Sequence, residues 1–391
     1  MARALDDLTV VSFAQLAQGP VATQFLGDMG ADVVKIEPPG GEWMRSEWSM
    51  ANAFPEGENA TFLGVNRNKR SVELDLKDED HLAVAYDLVE DADVVVENFR
   101  PGVMERLGLG YEELSERNPG LVYASATGFG SSGPYADRPG QDLLIQGVSG
   151  LAAQTGRADD PPTPVGTMAV DFYAAMNLAA SVLAALHYRE RTGEGQKVEG
   201  ALLNAAVHMQ AQEVSVVANA EGAHRERSAA GIAHPYFQAP YGVFETADGH
   251  MTISLSYPAD VADVLGIDGL ADVDDWESAY DRRDEIKEVI ESVLRTDTTD
   301  HWLDRLGPAD IWCAPVKSLP EAMEDPQVRH NDMVVPVEHP VLGEIELAGV
   351  PVALSETPGG VDRHPPTAGE HTDEVLEELG YDPEELLGDD D

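Results

Sequence analysis

The segment LTVVSFAQLAQGPVATQFLGDMGADVVKIE, residues 8–37, decides the fold. LTVVSF (Leu8–Phe13) is an unbroken apolar run of strand length. Gly19-Pro20 opens a helical stretch, PVATQFLGDMG, because a proline's missing N–H is not needed in a first turn. That stretch ends at Gly30, and Asp32–Glu37 (DVVKIE) reads as the next strand. The same alternation continues with a helix near Asp78–Asp91 and a strand at Asp93–Asn98. A helix near Val103–Arg117 and a strand at Leu121–Ala126 follow. Repeated strand–helix–strand order predicts an α/β fold, a Rossmann-like parallel sheet with helices on both faces. Ligands of such sheets bind outside the carboxyl ends of the strands.

Further along, a long helix follows Asp171 to about Arg191, and a second helical stretch covers about Ala201–Ala220. YGVFETADGHMTISL reads as a hairpin turning at Asp248-Gly249. Residues 260–306 have a small, acidic, helical texture, and short strands return after Ala314. This predicts a large domain over residues 1–224, a smaller inserted domain over 225–315, and a C-terminal return over 316–391 that completes the large one.

The charge is extreme: 25 Lys and Arg face 72 Asp and Glu, a net charge of −47. Self-repulsion on this scale opposes a compact state unless salt screens it. The lysines are confined to Lys35, Lys69, Lys77, Lys197, Lys287 and Lys317. An acidic, lysine-poor chain resembles the proteins of extreme halophiles. No basic stripe is present to neutralise phosphates, which excludes a nucleic-acid partner. Cys313 is the single cysteine, so no intramolecular disulfide or thiolate cluster forms. The start of the chain shows no apolar signal region, and the apolar run Phe172–Leu186 is short for a membrane span. A cytoplasmic location is expected.

Gly128, Gly130 and Gly133 in ASATGFGSSGPYADRPGQD (Ala124–Asp142) spell G-x-G-x-x-G. A dinucleotide loop must open a helix whose N-terminus holds the pyrophosphate. Pro134 and Pro139 follow instead, without apolar periodicity, so the stretch reads as an irregular loop. It serves either as a plain surface turn or as the lining of a substrate site.

One carboxylate stands out. Asp171 begins a long, otherwise apolar helix in VGTMAVDFYAAM. Taken alone it reads first as a first-turn aspartate stabilising free N–H groups, although the same geometry also suits a carboxylate nucleophile aimed out of a helix end. No H-E-x-x-H, G-x-S-x-G or Walker loop competes with it, and the histidines are scattered. No metal site is expected.

A family resemblance covers nearly the whole chain. FAQLAQGPVATQFLGDMGADVVKIEPPGG, NRNKRSVELDLK, VENFRPGVMERLGLGYEEL, GFGSSGPYADRPGQDLLIQGVSGL, VGTMAVDFYAAM, RTGEGQKVEGALLNA and APVKSLPEAMEDPQVRHNDMVVPVEHPVLG recur in order. The chain resembles the class III CoA-transferases, a superfamily that also holds formyl-CoA transferase, carnitine CoA-transferase and α-methylacyl-CoA racemase. The resemblance implies that Asp171 attacks an acyl-CoA thioester and carries covalent intermediates, with neither ATP nor metal. Coenzyme A is then a substrate, and no prosthetic group is implied. By position, Gln18 lies beside the thioester and Leu74 and Lys77 flank the nucleotide end. Asn98, Phe99, Arg100 and Arg106 also contact CoA, and Gln141 lies near the acyl carbonyl. Lys69 and Arg70 add positive charge to the same strand set. The resemblance further implies an interlocked homodimer, each chain threaded through its partner.

Racemases of the superfamily resemble this chain up to a Gly-His-Asp triplet, which here is Gly140-Gln141-Asp142. Glutamine does not titrate and cannot act as a base. The segment after the hairpin, SLSYPAD, also lacks the racemase glutamate. CoA transfer is therefore the expected activity, with racemisation and non-catalytic acyl-CoA binding as alternatives. The expected substrates are small dicarboxylates, succinyl-CoA to mesaconate, which rests on the halophile composition. A second substrate carboxylate needs a cation, and Arg45, Arg138 and Arg225 are the candidates.

Overall fold

The computed structural model describes residues 2–45, 59–222 and 224–387. Six strands form a parallel sheet: β1 Thr9–Ser12, β2 Asp32–Glu37, β3 Lys69–Glu73, β4 Val94–Glu97, β5 Val122–Thr127 and β6 Gln196–Ala201. Their order is β3-β2-β1-β4-β5-β6, with every neighbouring pair parallel. The chain reverses its direction of travel between β1 and β4, the switch point at whose carboxyl ends ligands of such sheets bind.

Strand periodicity divides the core between the two sheet faces. Val10, Val94, Val96, Val122 and Ala124 pack beneath the helices Gln18–Asp28 and Ala169–Thr192. Their neighbours Val11, Val34, Val95 and Tyr123 point the other way, into helices Glu79–Glu90, Tyr111–Arg117 and Thr372–Glu378. β1, β2, β4 and β5 are largely apolar on both faces because both are covered.

Most expected elements are present, with instructive differences. The helix expected near Val103–Arg117 is two helices, Val103–Arg106 and Tyr111–Arg117, broken where Gly108 takes φ +78°. The second helical stretch is split into Leu202–Met209 and Ala211–Asn219. β3 and β6 were not anticipated. The first is an edge strand whose Lys69 and Arg70 are nonetheless buried; the second is a half-buried edge strand without an apolar run. The helix Ala169–Thr192 spans 24 residues and is long and apolar enough, by length and composition, to cross a membrane. It is therefore longer than its apolar run suggested. Half of its apolar window is buried, and its buried stripe packs in the sheet's core.

The chain's contacts divide it into two compact units. The first comprises Met1–Ile145, Met168–His208 and Pro326–Asp391 and holds the parallel sheet. A hairpin of β10 Val334–His339 and β11 Gly343–Ala348 also belongs to it. The second comprises Gln146–Thr167 and Met209–Asp325. Its antiparallel sheet, β7 Gly242–Glu245, β8 His250–Ile253 and β9 Cys313–Pro315, packs with four helices around Phe244, Ile286, Ile290 and Leu306. These divisions differ from the expected boundaries at 224 and 315, because residues 146–167 and 209–224 fall in the second unit.

Candidate active site

At the switch point between β1 and β4, two strand-end turns are locked together. Asn98, just past β4, accepts the N–H of Gln15 at 2.8 Å and donates its own amide to the Gln15 carbonyl at 2.6 Å. Its side chain is therefore a clamp on the turn after β1. That turn leads into Gln18, the first residue of helix Gln18–Asp28. Gln18 is 4% exposed, and among the described residues its Nε2 has no hydrogen-bond partner. A buried donor left unpaired costs about 1–3 kcal/mol, which a bound carbonyl or carboxylate oxygen recovers. Nε2 lies over β6, 3.8 Å from where a Cβ at Gly200 would stand, and Leu178 of the long helix lies against the same point.

Leu178 shares a helix stripe with Asp171. Seven residues at 1.5 Å each place Asp171 about 10 Å further toward the N-terminal end of that helix. The helix end is unusual. Met168, at its N-cap position, offers no side-chain cap. Asp142 caps it from another element: one carboxylate oxygen accepts the N–H of Val170 at 2.8 Å and that of Asp171 at 3.1 Å. Asp171 is 4% exposed. Among the described residues no donor bonds its carboxylate. Burial, and then the adjacent Asp142 charge, push that carboxyl up to about 7. A first-turn aspartate placed only for stability would take its own helix's N–H groups. Here Asp142 performs that task, and Asp171 is left as a buried, unsolvated carboxyl.

The glycine loop connects β5 to Asp142. Gly130 and Gly133 have φ +99° and +96°. Gly128 and Gly140 cross so closely that a Cβ on Gly128 would lie 2.5 Å from the Gly140 Cα, so the loop closes at its neck. The next helix, Asp142–Val148, starts well beyond Gly133, and no glycine of the G-x-G-x-x-G pattern opens it. The dinucleotide geometry is absent. Gln141 sits half-buried between the neck and Asp142, and its carbonyl accepts the N–H of Ile145.

The remaining expected contacts separate into accessible and occupied groups. Lys77, Arg100 and Arg106 are exposed, and Phe99 is half-buried on the core. Leu74 is 1% exposed with its side chain packed in the core rather than turned to a ligand. Lys69 is interior: its ammonium donates to the Pro20 and Val65 carbonyls and to Asn66 at 2.8–3.0 Å. Arg70 is held by Asp32, Glu374 and Glu378. Neither is free for phosphate, so the local positive charge expected of them is spent inside the fold. Arg45 is likewise engaged, in a two-pronged pair with Glu37 and face-on to Phe62 at 3.7 Å. Arg138 lies on the glycine loop, exposed and stacked 3.8 Å above Tyr135. Arg225 belongs to the second unit, beside Tyr280. Among the described residues, no group of three or more His, Cys, Asp or Glu side chains is arranged to hold a metal ion. Sequence reasoning missed Asp142 as a cap, since its partners lie 28 and 29 residues away.

Known proteins show the same organisation. The family described as CoA-transferase family III matches residues 5–372. The chain is 38% identical over 390 residues to a succinyl-CoA:mesaconate CoA-transferase of Haloarcula hispanica, covering 96% of each chain. It is 31% identical to the human succinyl-CoA:glutarate CoA-transferase, covering 97% of this chain and 86% of that one. A CAIB/BAIF family protein from Brucella suis superposes with a TM-score of 0.84 at 31% identity, covering 97% of this chain and all of that one. A buried carboxyl at the end of a helix packed on a parallel sheet thus comes with a match along nearly the whole sequence: the chain is a transferase enzyme belonging to CoA-transferase family III.

Proposed function

We propose that this enzyme moves CoA from succinyl-CoA to a free dicarboxylic acid, mesaconate foremost, through covalent intermediates on Asp171. The observation that carries the mechanism is the Asp171 carboxyl, buried, without a hydrogen-bond donor, and on a helix end capped by another residue. Its ionised oxygen attacks the thioester carbonyl carbon, the C–S bond breaks, and CoA leaves as thiolate. The thiolate then attacks Asp171 Cγ in the resulting anhydride, releasing the donor acid and leaving an aspartyl-CoA thioester. The acceptor carboxylate attacks that Cγ and expels the thiolate. Thiolate attack on the acceptor acyl carbon then gives the new thioester and frees Asp171. Each bond broken is matched by one formed, so the sequence needs no ATP. The unpaired Gln18 amide donates to the oxygen that becomes negative.

The dicarboxylate reading is supported by the names of the relatives from Haloarcula and human, all succinyl-CoA transferases of dicarboxylic acids. The halophilic reading is supported by the same Haloarcula relatives and by the charge of −47. CoA thioesters do not diffuse across membranes, which favours the cytoplasm. The helix Ala211–Asn219 buries none of its residues in the single chain, although it carries Val214 and Val217. Short helices are marginal without tertiary packing, so this uncovered apolar helix supports the interlocked homodimer, in which a second copy would cover it.

Acyl-CoA donors and free acids assayed pairwise in molar KCl test the substrate reading, with succinyl-CoA and mesaconate expected to be fastest. Incubation with succinyl-CoA followed by borohydride or hydroxylamine trapping and mass spectrometry tests the mechanism. A label on Asp171 is expected. Retained CoA binding without a label would identify a binding protein, and α-proton exchange without CoA transfer a racemase.

A further inference from the structure

Glu97, the last residue of β4, lies on the sheet face opposite the clamp made by its neighbour Asn98. Its carboxyl is 6% exposed, and one oxygen accepts the Phe99 N–H at 2.9 Å. Ser125, its cross-strand partner on β5, stands opposite it, and its hydroxyl favours the ionised form. These groups floor an enclosed cleft of about 140 Å³, with Thr127, Ser131, Arg100 and Lys197 around it. Thr127 continues into the glycine loop, accepting the Gly130 N–H at 2.9 Å and donating to the Gly200 carbonyl at 3.2 Å. A carboxylate at this depth is an expensive choice, and burial pushes it up to about 7. For a structural link between two strands, an apolar pair would serve at lower cost. Perturbed carboxyls of this kind cluster at functional sites.

We propose that Glu97 is a positioning residue for CoA: by holding the Phe99 N–H and Ser125 together, it fixes the Asn98–Arg100 turn against the base of the glycine loop. It touches neither the thioester nor Asp171, so it acts on binding rather than on the chemical step. The assignment rests on the reading that CoA lies against Asn98–Arg100 and Arg106. A carboxyl to amide change keeps an acceptor for Phe99, whereas truncation removes it.

The test compares E97A, E97Q and R106A in the full-length enzyme, using kinetics and direct calorimetric titration with CoA. E97A is expected to raise KM for acyl-CoA and Kd for CoA about tenfold, with kcat within twofold. E97Q is expected to return both to within twofold of the unmodified enzyme. The inference is overturned if E97A binds CoA normally, or if E97A and E97Q lower kcat alike and leave KM unchanged. If R106A also binds CoA as tightly as the unmodified enzyme, the underlying location of CoA is wrong. If R106A weakens binding and E97A does not, only the role of Glu97 fails.

Discussion

The carboxylate of Asp142 accepts the backbone N–H of Asp171 at 3.1 Å, so the residue that ends the glycine loop caps the helix that carries the proposed nucleophile. The contact has two effects of opposite sense. It stabilises the helix end, and its charge adds to burial in raising the Asp171 carboxyl to about 7.

Replacing Asp171 by asparagine separates activity from stability. The D171N change removes the attacking oxygen and is expected to lower kcat by about a thousandfold or more. A carboxyl whose pKa is raised in the folded state is bound to its proton there while the unfolded chain has lost it. Stability therefore falls as pH rises from about 4 to 7, and the deficit remains above 7. A rise from 3.8 to about 7 corresponds to about 4 kcal/mol. D171N lacks that deficit and is expected to melt about 5 °C higher at pH 8 in molar KCl. Differential scanning calorimetry at pH 5 and pH 8 checks this, with the gain clearly larger at the higher pH.

The pH profile follows from the same group. Attack requires ionised Asp171, so kcat/KM of the free enzyme is expected to rise with pH and level off above about 7. D142N keeps an oxygen acceptor for the helix N–H groups but loses the neighbouring charge, so the inflection moves to lower pH. D142A also loses the cap and is expected to cost a further 1–2 kcal/mol, approximately, in chemical denaturation.

The loop neck leaves no room for side chains. A methyl at Gly128 or Gly140 meets the opposing Cα at 2.5 or 2.3 Å, and backbone cannot step aside as a flexible side chain can. G128A and G140A are each expected to destabilise by about 1–3 kcal/mol and to reduce kcat, because the displaced strand leads directly to Asp142. An alanine at Gly133, which has open space around it but φ +96°, is expected to be milder. Thermal melts with steady-state kinetics on the three variants test this order.

Basic residues near the CoA reading divide by whether the fold already uses them. Arg100 and Arg106 are exposed, so R100A and R106A are expected to raise KM for acyl-CoA about tenfold with little change in melting temperature. Arg70 pairs with three carboxylates across the C-terminal return, and R70A is expected to destabilise without a specific effect on KM. Reversal of these two patterns would relocate the phosphate site.

The parallel sheet was legible because four of its strands are apolar on both faces, as a sheet covered by helices requires. β3 was not, because Lys69 and Arg70 resemble surface residues. Only the three-dimensional arrangement supplies the carbonyls around Lys69 and the carboxylates around Arg70. β6 was hidden by its exposed edge position. At the site, a single carboxylate beginning an apolar helix drew attention to Asp171, and the family resemblance supplied its chemistry. Asp142 carried no comparable signal: a cap that comes from a separate loop leaves no spacing in the sequence to read.

The crossing of Gly128 and Gly140 also bears on how this scaffold diversifies. The loop between them is closed at its neck by its own main chain, while Phe129, Tyr135 and Arg138 pack on one another within it. Residues 129–139 are thus a cassette. Exchanging Arg138 and Tyr135 within it is expected to leave Asp142 at the helix end, because the neck lies between them and that residue. Loop transplantation between these two glycines is the natural route for retargeting the enzyme to other acids.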